Sequence, residues 1–198
     1  YNVYMEFVLE YIKSLDKINK SLDILELEKF ILCLSALKKR KGRLFILGVG
    51  GSAGNASHAV NDFRKLCEIE TYSPTDNVSE ITARTNDEGF ATIFSSYLKI
   101  SKLSKKDLVL IFSVGGGNLK KNVSLNLIEA IKLARKKKCK ILSILGKKDG
   151  YAAKYSDHKI VINTSNKKLL TPLSESYQAI VWHLLVSHPK IQTNKTKW

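Results

Sequence analysis

The sequence has no long apolar run and little cysteine. No stretch of about 18 consecutive apolar residues occurs, which argues against a transmembrane helix. The cysteines Cys33, Cys67 and Cys139 stand far apart and form no C-x-x-C pair, as in a reduced cytosolic protein rather than a disulfide scaffold. The N-terminal segment "YNVYMEFVLEYIKSLDK" is amphipathic with interspersed acids, unlike a signal peptide. We therefore expect a cytoplasmic protein with no membrane contact.

Acidic residues are also few. The chain has 18 Asp and Glu against 33 Lys and Arg, a formal net charge of +15, which would suit a nucleic-acid-binding protein. The lysines, however, lie in short clusters near predicted helix ends, such as "KKRK" at 38–41 and "KKKCK" at 136–140. No aromatic residues alternate with them, as they would in a groove for single strands. The pattern favours a solvated basic surface that steers an anionic substrate, and we expect no nucleic-acid partner.

Short apolar segments alternate with helical patterns along the chain. Two amphipathic helices come first, in "VYMEFVLEYIKSL" and "LELEKFILCLSALKK", and a helix begun by Pro172 closes the chain. Between them "RLFILG", "DLVLIFSV", "CKILSILG" and "HKIVINT" predict strands, and "EIETYSPTDNVSE" begins with a weak one. The length of 198 residues suits one domain. The alternation predicts a parallel sheet covered by helices on both faces, a three-layer α/β/α sandwich.

Two glycine-rich segments follow predicted strands: "GVGGSAGNASH" at 48–58 and "SVGGGN" at 113–118. A glycine-rich turn that leads into a helix presents backbone N–H groups to an anion, and ligands bind at the carboxyl ends of parallel strands. We expect one helix to begin near Ser52, whose hydroxyl would cap it, and another near Asn122. Together the loops predict a site for a compact phosphate, with the candidate residues Gly50, Gly51, Ser52, Ser113, Gly115, Gly116, Gly117 and Asn118.

The first loop also fits a dinucleotide fingerprint. Gly48, Gly50 and Ala53 satisfy G-x-G-x-x-(G/A), and Glu70 stands about where a ribose-binding acid is expected. This alternative predicts a nicotinamide cofactor. Against it, the strand near Glu70 is only weakly apolar, and two helices precede the first strand.

The order of the motifs resembles the sugar isomerase (SIS) domain family. A strand precedes "GGS", "NDEGF" follows, a second strand precedes "SVGGGN", and "GKKDG" and a closing helix come last. Within the family the chain is most similar to phosphoheptose isomerases. The resemblance implies a flavodoxin-like SIS fold over residues 1–188, with residues 1–41 as N-terminal helices used in oligomer packing and 189–198 as a polar tail. It also implies a homotetramer that binds no nucleotide cofactor.

The resemblance assigns candidate roles to individual residues. Ser52 and Ser113 match phosphate-contacting serines, and the pair Asn86 and Asp87 matches residues that contact substrate hydroxyls. Four further residues match positions that gather around the reacting carbons and hold zinc in some members: His58, Asp62, Glu175 and His183. The chain departs from the family pattern in places, because "SVGGGN" replaces the serine-rich "STSGNS" and a short insertion around "LKK" follows. Asp62 stands in place of Glu, and Glu175 in place of Gln.

The implied activity is the conversion of sedoheptulose 7-phosphate to glycero-manno-heptose 7-phosphate for surface polysaccharide. An aldose–ketose isomerisation through an enediol needs a general base, a general acid and a group that stabilises negative charge. Asp62 or Glu175 is the candidate base, and His183 the candidate acid. Two histidines and two carboxylates would also suit a four-coordinate zinc. The alternative is a non-catalytic SIS module that binds a sugar phosphate or a protein partner.

Overall fold

The computed structural model describes residues 3–197, with the backbone alone at Val3; residues 1, 2 and 198 lie outside it. The α-helices in this range are α1 (Val3–Ser21), α2 (Ile24–Lys39), α3 (Gly51–Cys67), α4 (Val78–Glu88), α5 (Ile93–Ile100), α6 (Leu125–Lys136), α7 (Tyr151–Tyr155) and α8 (Leu170–Ser187). The strands are β1 (Leu44–Leu47), β2 (Thr71–Tyr72), β3 (Leu108–Ser113), β4 (Lys140–Leu145) and β5 (His158–Val161).

The strands form one parallel sheet in the order β2-β1-β3-β4-β5. Leu44 and Ile46 of β1 face a core shared with α2, α3 and α8, whereas Phe45 and Leu47 face a core shared with α5, α6 and α7. Because both faces are buried, the central strands β1 and β3 are apolar at nearly every position. The predicted three-layer α/β/α sandwich, preceded by N-terminal helices, is confirmed.

The strand order places a crevice at the carboxyl edge of the sheet. Strand β1 lies between β2 and β3, so the first crossover leads to one side of β1 and the next leads to the other side. Loops that leave strands at such a switch point diverge and open a binding crevice. Both glycine loops lie there, since residues 48–50 follow β1 and residues 114–118 follow β3.

A charged pair joins the amino ends of the two central strands. The main-chain N–H and Nε of Arg43 each donate to Asp107 Oδ1 at 3.1 Å, and Nη2 donates to Oδ2 at 2.9 Å. The N–H and hydroxyl of Ser104 also donate to Oδ2. Burial acts to raise the pKa of Asp107, but the hydrogen bonds from Arg43 and Ser104 hold that pKa below its ordinary value. The pair therefore connects the start of β1 to the start of β3 at the edge opposite the crevice.

Several helices carry surface that the rest of the chain does not cover. On α1 the exposed large apolar side chains are Tyr4, Met5, Phe7, Val8, Leu9 and Ile12. Helix α4, which lies wholly within the described range, has no buried residue. Contiguous exposed apolar surface is typical of an interaction surface. Within residues 3–197 no helix has both the length and the apolar character needed to cross a bilayer.

The polar segment after α8 is anchored to the domain. Ile191 is fully buried, and the N–H groups of Thr193 and Asn194 donate to the Leu66 carbonyl near the end of α3 at 2.8 and 3.0 Å. Lys38 Nζ donates to the carbonyl of Ile191 at 2.8 Å. The expected tail therefore docks against α2 and α3.

Candidate active site

The first glycine loop leads directly from β1 into α3. Gly50 has a φ of +64°, in the left-handed region that favours glycine, and the helix begins at Gly51. The prediction that Ser52 caps the helix is wrong, because Ser52 already lies in the first turn, where it is 2% exposed. The first N–H groups of a helix have no acceptor within it. The start of α3 therefore offers N–H donors at the crevice.

The second glycine loop is folded against its neighbours. The N–H of Gly116 donates to Ser113 Oγ at 2.9 Å. The carbonyls of Gly116 and Gly117 accept from the N–H groups of Ala152 and Tyr151, at the start of α7, at 2.8 and 2.9 Å. Ser113 Oγ thus serves as an acceptor inside the loop, and its O–H remains able to donate to a ligand.

The insertion after the second loop forms a separate turn. The predicted helix start near Asn122 is wrong, because α6 begins at Leu125. Asn118 and Val123 exchange main-chain hydrogen bonds of 2.9 and 3.1 Å across residues 119–122. These bonds close a turn between the glycine loop and the helix, so this loop does not lead directly into a helix N-terminus as the first one does.

Helices α3 and α8 run side by side from the carboxyl edge. Asn55 Nδ2 on α3 donates to the carbonyl of Glu175 at 2.9 Å and to Gln178 Oε1 at 3.0 Å. One turn earlier, a Cβ added to Gly51 would lie 2.5 Å from Glu175 Oε2. The Glu175 carboxylate therefore lies over the first residue of α3, where only glycine leaves room for it.

Two helical turns further along this pair, His58 and Asp62 of α3 meet His183 of α8. Asp62 Oδ2 lies 3.9 Å from Nε2 of each histidine, and one ligand atom from each of the three residues lies within 4.8 Å of the others. The Asp62 side chain is 14% exposed, whereas those of His58 and His183 are 60% and 50% exposed. The group therefore combines a largely buried carboxylate with two exposed imidazoles.

The ring of His183 is held in one orientation by its own helix. Its Nδ1 lies 2.8 Å from the Ala179 carbonyl oxygen. Because a carbonyl only accepts, Nδ1 carries the proton and Nε2 faces Asp62. The contact also folds the ring back along α8 by about one turn, toward Glu175. Metal-ligating histidines are oriented by this kind of outer hydrogen bond.

The expected set of four metal ligands is not assembled within this chain. Glu175 lies outside the group of His58, Asp62 and His183, with its carboxylate against Gly51. The reason is its position on α8, eight residues before His183, which corresponds to about 12 Å of helix rise. Two imidazoles and a carboxylate still fit zinc, because catalytic zinc takes three protein ligands and keeps a position open.

The predicted pair Asn86 and Asp87 and the remaining histidines, which were not predicted as site residues, lie outside this group. Asn86 and Asp87 are on the exposed helix α4, where Asn86 Nδ2 donates to Asp87 Oδ1 at 2.8 Å. His158 faces Glu26 at 3.6 Å on β5, and His188 accepts from the N–H of Lys190. Their placement gives no support to a catalytic role for these two histidines.

The geometry argues against the dinucleotide alternative. Glu70 precedes β2, and its carbonyl accepts from the N–H of Leu44 at the start of β1. Glu70 therefore lies at the amino edge, whereas the glycines that would bind the pyrophosphate lie at the carboxyl edge. An acid that binds ribose must lie on the same side of the sheet as those glycines.

The cysteines are not suited to nucleophilic catalysis. All three are buried and unpaired. Burial raises the pKa of Cys67 to about 11 and that of Cys139 to about 12. Both groups are therefore neutral thiols near pH 7, and neither can serve as a thiolate nucleophile.

Known proteins share both the sequence pattern and the fold. A profile of the SIS domain matches residues 6–146, more than half of the chain. The chain belongs to the SIS domain family. The phosphoheptose isomerase of a Nitratiruptor species is 30% identical to it over 185 residues, which cover 91% of this chain and 92% of that protein. The lincomycin biosynthesis protein LmbN of Streptomyces lincolnensis is 32% identical over 154 residues, 74% of this chain but only 56% of its own length.

A solved structure shows that this SIS chain also has the fold of such proteins. Phosphoheptose isomerase GmhA from Neisseria gonorrhoeae superposes with a TM-score of 0.78 at 22% identity, covering 92% of this chain and 95% of that one. The resemblance to phosphoheptose isomerases that the sequence motifs indicated is confirmed.

The SIS motifs do not include three residues that lie beside the predicted site residues. Asn55 and Gln178 cross-link the two helices of the site, and Trp182 packs against both histidines. Their spacing could have indicated that they lie beside the site, because residues three or four apart share a helix face. Asn55 lies three positions before His58, and Gln178 lies three after Glu175 and four before Trp182.

Proposed function

We propose that this chain is a sugar-phosphate aldose–ketose isomerase that converts sedoheptulose 7-phosphate to D-glycero-D-manno-heptose 7-phosphate. One observation carries the proposal: α3 and α8 present His58, Asp62 and His183 as one group, with the Glu175 carboxylate nearer the two glycine loops. A module that only binds a sugar phosphate has no need of that group. The names of full-length relatives, such as the Nitratiruptor phosphoheptose isomerase, support the same reaction.

The chemistry assigns a base and an acid. Glu175 accepts the proton from C1 of the ketose and returns it to C2, while a second group moves a proton between O1 and O2. We assign the base of this chain to Glu175, a carboxylate at the mouth of the crevice where the family pattern has Gln, because Asp62 faces both histidines at 3.9 Å. His183 Nε2 suits the second role when no metal occupies it. Because about 12 Å of helix rise separates Glu175 from His183, this pairing requires that their side chains converge on the substrate between them or that a second copy of the chain shares the site. N–H groups at the start of α3 stabilise the negative charge that develops on the oxygens.

A metal ion would be held by His58, Asp62 and His183, with the substrate at an open position. When bound there, zinc would act as a Lewis acid on the substrate carbonyl. In that state His183 is a ligand, and Glu175 remains the base.

The phosphate would bind between the glycine loops. The O–H of Ser113 and the first N–H groups of α3 can donate to it. Asn118 Oδ1 accepts from the N–H of Lys121 at 3.0 Å, which orders the turn that carries Lys120 and Lys121. We assign these lysines the charge that replaces the lost serine hydroxyls, and we assign Asn86 and Asp87 to the substrate hydroxyls, contacts that need α4 to approach the crevice.

We also propose a homotetramer in the cytoplasm that supplies heptose for surface polysaccharide. The exposed apolar face of α1 supports an assembly through the N-terminal helices, and Ile180 and Leu184, 47% and 40% exposed beside His183, support contact with a second copy near the site. Three unpaired cysteines suit a reducing compartment.

The proposal is tested by incubating the purified chain with sedoheptulose 7-phosphate and following aldose formation, with and without a zinc chelator. We expect turnover, and its loss on chelation if the metal takes part. Tight binding of heptose, hexose and pentose phosphates without turnover of any would instead establish a binding module. A change in nicotinamide absorbance would revive the dinucleotide alternative.

A further inference from the structure

Trp182 packs between α3 and α8 against both histidines of the site. Its ring centroid lies 4.7 Å from that of His58, with the planes at 66°, and 3.5 Å from that of His183, with the planes at 30°. The two imidazole centroids are 5.5 Å apart. Because Trp182 is fully buried, its indole is a fixed surface beside both imidazoles.

The two histidines depend on this surface to different degrees. His183 is already held by its hydrogen bond to the Ala179 carbonyl. His58 is more exposed, and within residues 3–197 its side chain makes no hydrogen bond. Its neighbours are Asp62 at 3.9 Å, the edge of His183 and the indole. The indole is therefore the closest rigid group that limits how the His58 ring can turn.

The indole N–H shows that core packing alone does not account for this residue. Trp182 Nε1 is buried with no hydrogen-bond partner in the described part of the chain. An unpaired buried donor is unfavourable, and a phenyl ring would fill an apolar position without one. What Trp182 does supply is a broad ring that reaches the imidazoles of both helices.

We propose that Trp182 is a positioning residue that orients His58, and secondarily His183, so that their ring nitrogens and Asp62 converge on one divalent metal ion. The inference rests on the metal-binding part of the proposed function. It assigns the indole a role through the imidazoles, with no contact to the substrate.

Affinities for Zn²⁺ and Co²⁺, measured by calorimetry on the full chain, test this role without using turnover. Loss of an outer residue that orients a metal ligand lowers metal affinity by about 10–100-fold. We expect Trp182→Leu to lower affinity by at least about tenfold, and Trp182→Phe, whose smaller ring cannot span both imidazoles, to lower it by an intermediate factor of about threefold or more. Thermal unfolding of both variants checks that they are folded.

A double-mutant cycle separates positioning from a general structural effect. In a His58→Ala background Trp182→Leu should lower metal affinity by a clearly smaller factor, because only the secondary contact with His183 remains. An equal loss with and without His58 would overturn the proposal, as would wild-type affinity in folded Trp182→Leu.

Fluorescence gives a second readout. The chain has two tryptophans, so Trp198→Phe leaves Trp182 as the only one. Co²⁺ should quench its emission in proportion to the calorimetric occupancy, because the imidazoles that bind the ion touch the indole. Binding of Co²⁺ with unchanged emission would overturn the proposal. Absence of metal binding would also overturn it, whereas turnover in the presence of chelator would leave the isomerase function standing.

Discussion

The two edges of the sheet use polar groups in opposite ways. At the amino edge Asp107 accepts three hydrogen bonds from Arg43 and two from Ser104. At the carboxyl edge the Glu175 carboxylate lies against Gly51, and the histidines further along α3 and α8 are half exposed. Groups whose partners come from the chain stabilise the fold, while groups left open can bind a ligand.

Further residues follow the same division. At the amino edge Asp157 accepts from the N–H of Ile141 at 2.8 Å and from Arg135 at 3.1 Å. Near the crevice Gln178 Nε2 on α8 and Asn126 Nδ2 in the first turn of α6 are buried without a partner in the described range, but so is Ser156 Oγ beside Asp157 at the amino edge. Buried unpaired polar groups lower stability at either edge, so the two edges differ in their charged groups, which are paired at the amino edge and open to a ligand at the carboxyl edge. Variants at the two edges should therefore fail in different ways.

The largest expected effect belongs to the carboxyl edge. Glu175→Gln keeps the shape of the side chain and introduces the residue that the family pattern has there, but it removes the base proposed for this chain, so kcat should fall by at least about a hundredfold. The melting temperature should stay close to that of the wild type, because the Asn55 bond to residue 175 involves its main-chain carbonyl. Steady-state kinetics with sedoheptulose 7-phosphate measures this, and Glu129→Gln, which changes a surface acid paired with Lys132, is the matched control. A wild-type kcat would remove Glu175 from the mechanism.

The next largest effect is a loss of stability in a variant at the amino edge. Asp107→Asn places an amide N–H₂ against donors of Arg43 or Ser104, and breaking a buried pair of this kind costs about 3 kcal/mol. Urea denaturation should show this loss, while kcat per folded molecule stays unchanged. A large fall in kcat with normal stability would contradict the division between the edges.

The difference in unfolding free energy between wild type and Asp107→Asn should depend on pH, because the pKa of Asp107 is lowered in the folded protein. A depressed carboxyl pKa contributes stability above the unfolded-state value of about 3.9, and the contribution is lost as pH falls toward the folded-state pKa. The gap in unfolding free energy between wild type and Asp107→Asn should therefore be constant near pH 7 and should narrow below about pH 4.

The sequence predicted the sheet and the position of both glycine loops at its carboxyl edge, because each depends on local patterns. Buried strands such as "DLVLIFSV" are apolar throughout, and the glycines that end β1 and β3 mark the turns at the crevice. The start of α6 was predicted wrongly, since the turn over 119–122 depends on main-chain bonds between Asn118 and Val123.

The group formed by His58, Asp62 and His183 was predicted only in part for a similar reason. The spacing of His58 and Asp62 on one helix is visible in the sequence, and the family motif added His183. The separation of Glu175 from that group follows from how α3 and α8 pack, with Glu175 beside Gly51 rather than beside His58. A sequence motif indicates the candidate residues, whereas the packing of two helices determines which of their side chains come into contact.

The smallest effect compares two glycines on the first loop and helix. A Cβ at Gly51 would lie 2.5 Å from Glu175 Oε2, so Gly51→Ala must displace the carboxylate, and kcat should fall roughly tenfold or more, since small misplacements of catalytic groups are costly. Apart from its chain neighbours and the nearby backbone of its own helix, no described atom lies within 4 Å of a Cβ at Gly54. Gly54→Ala should therefore leave kcat unchanged and add up to about 1 kcal/mol of stability, because alanine favours a helix interior. Full activity in Gly51→Ala would mean that the position of Glu175 at the carboxyl edge does not matter to the reaction.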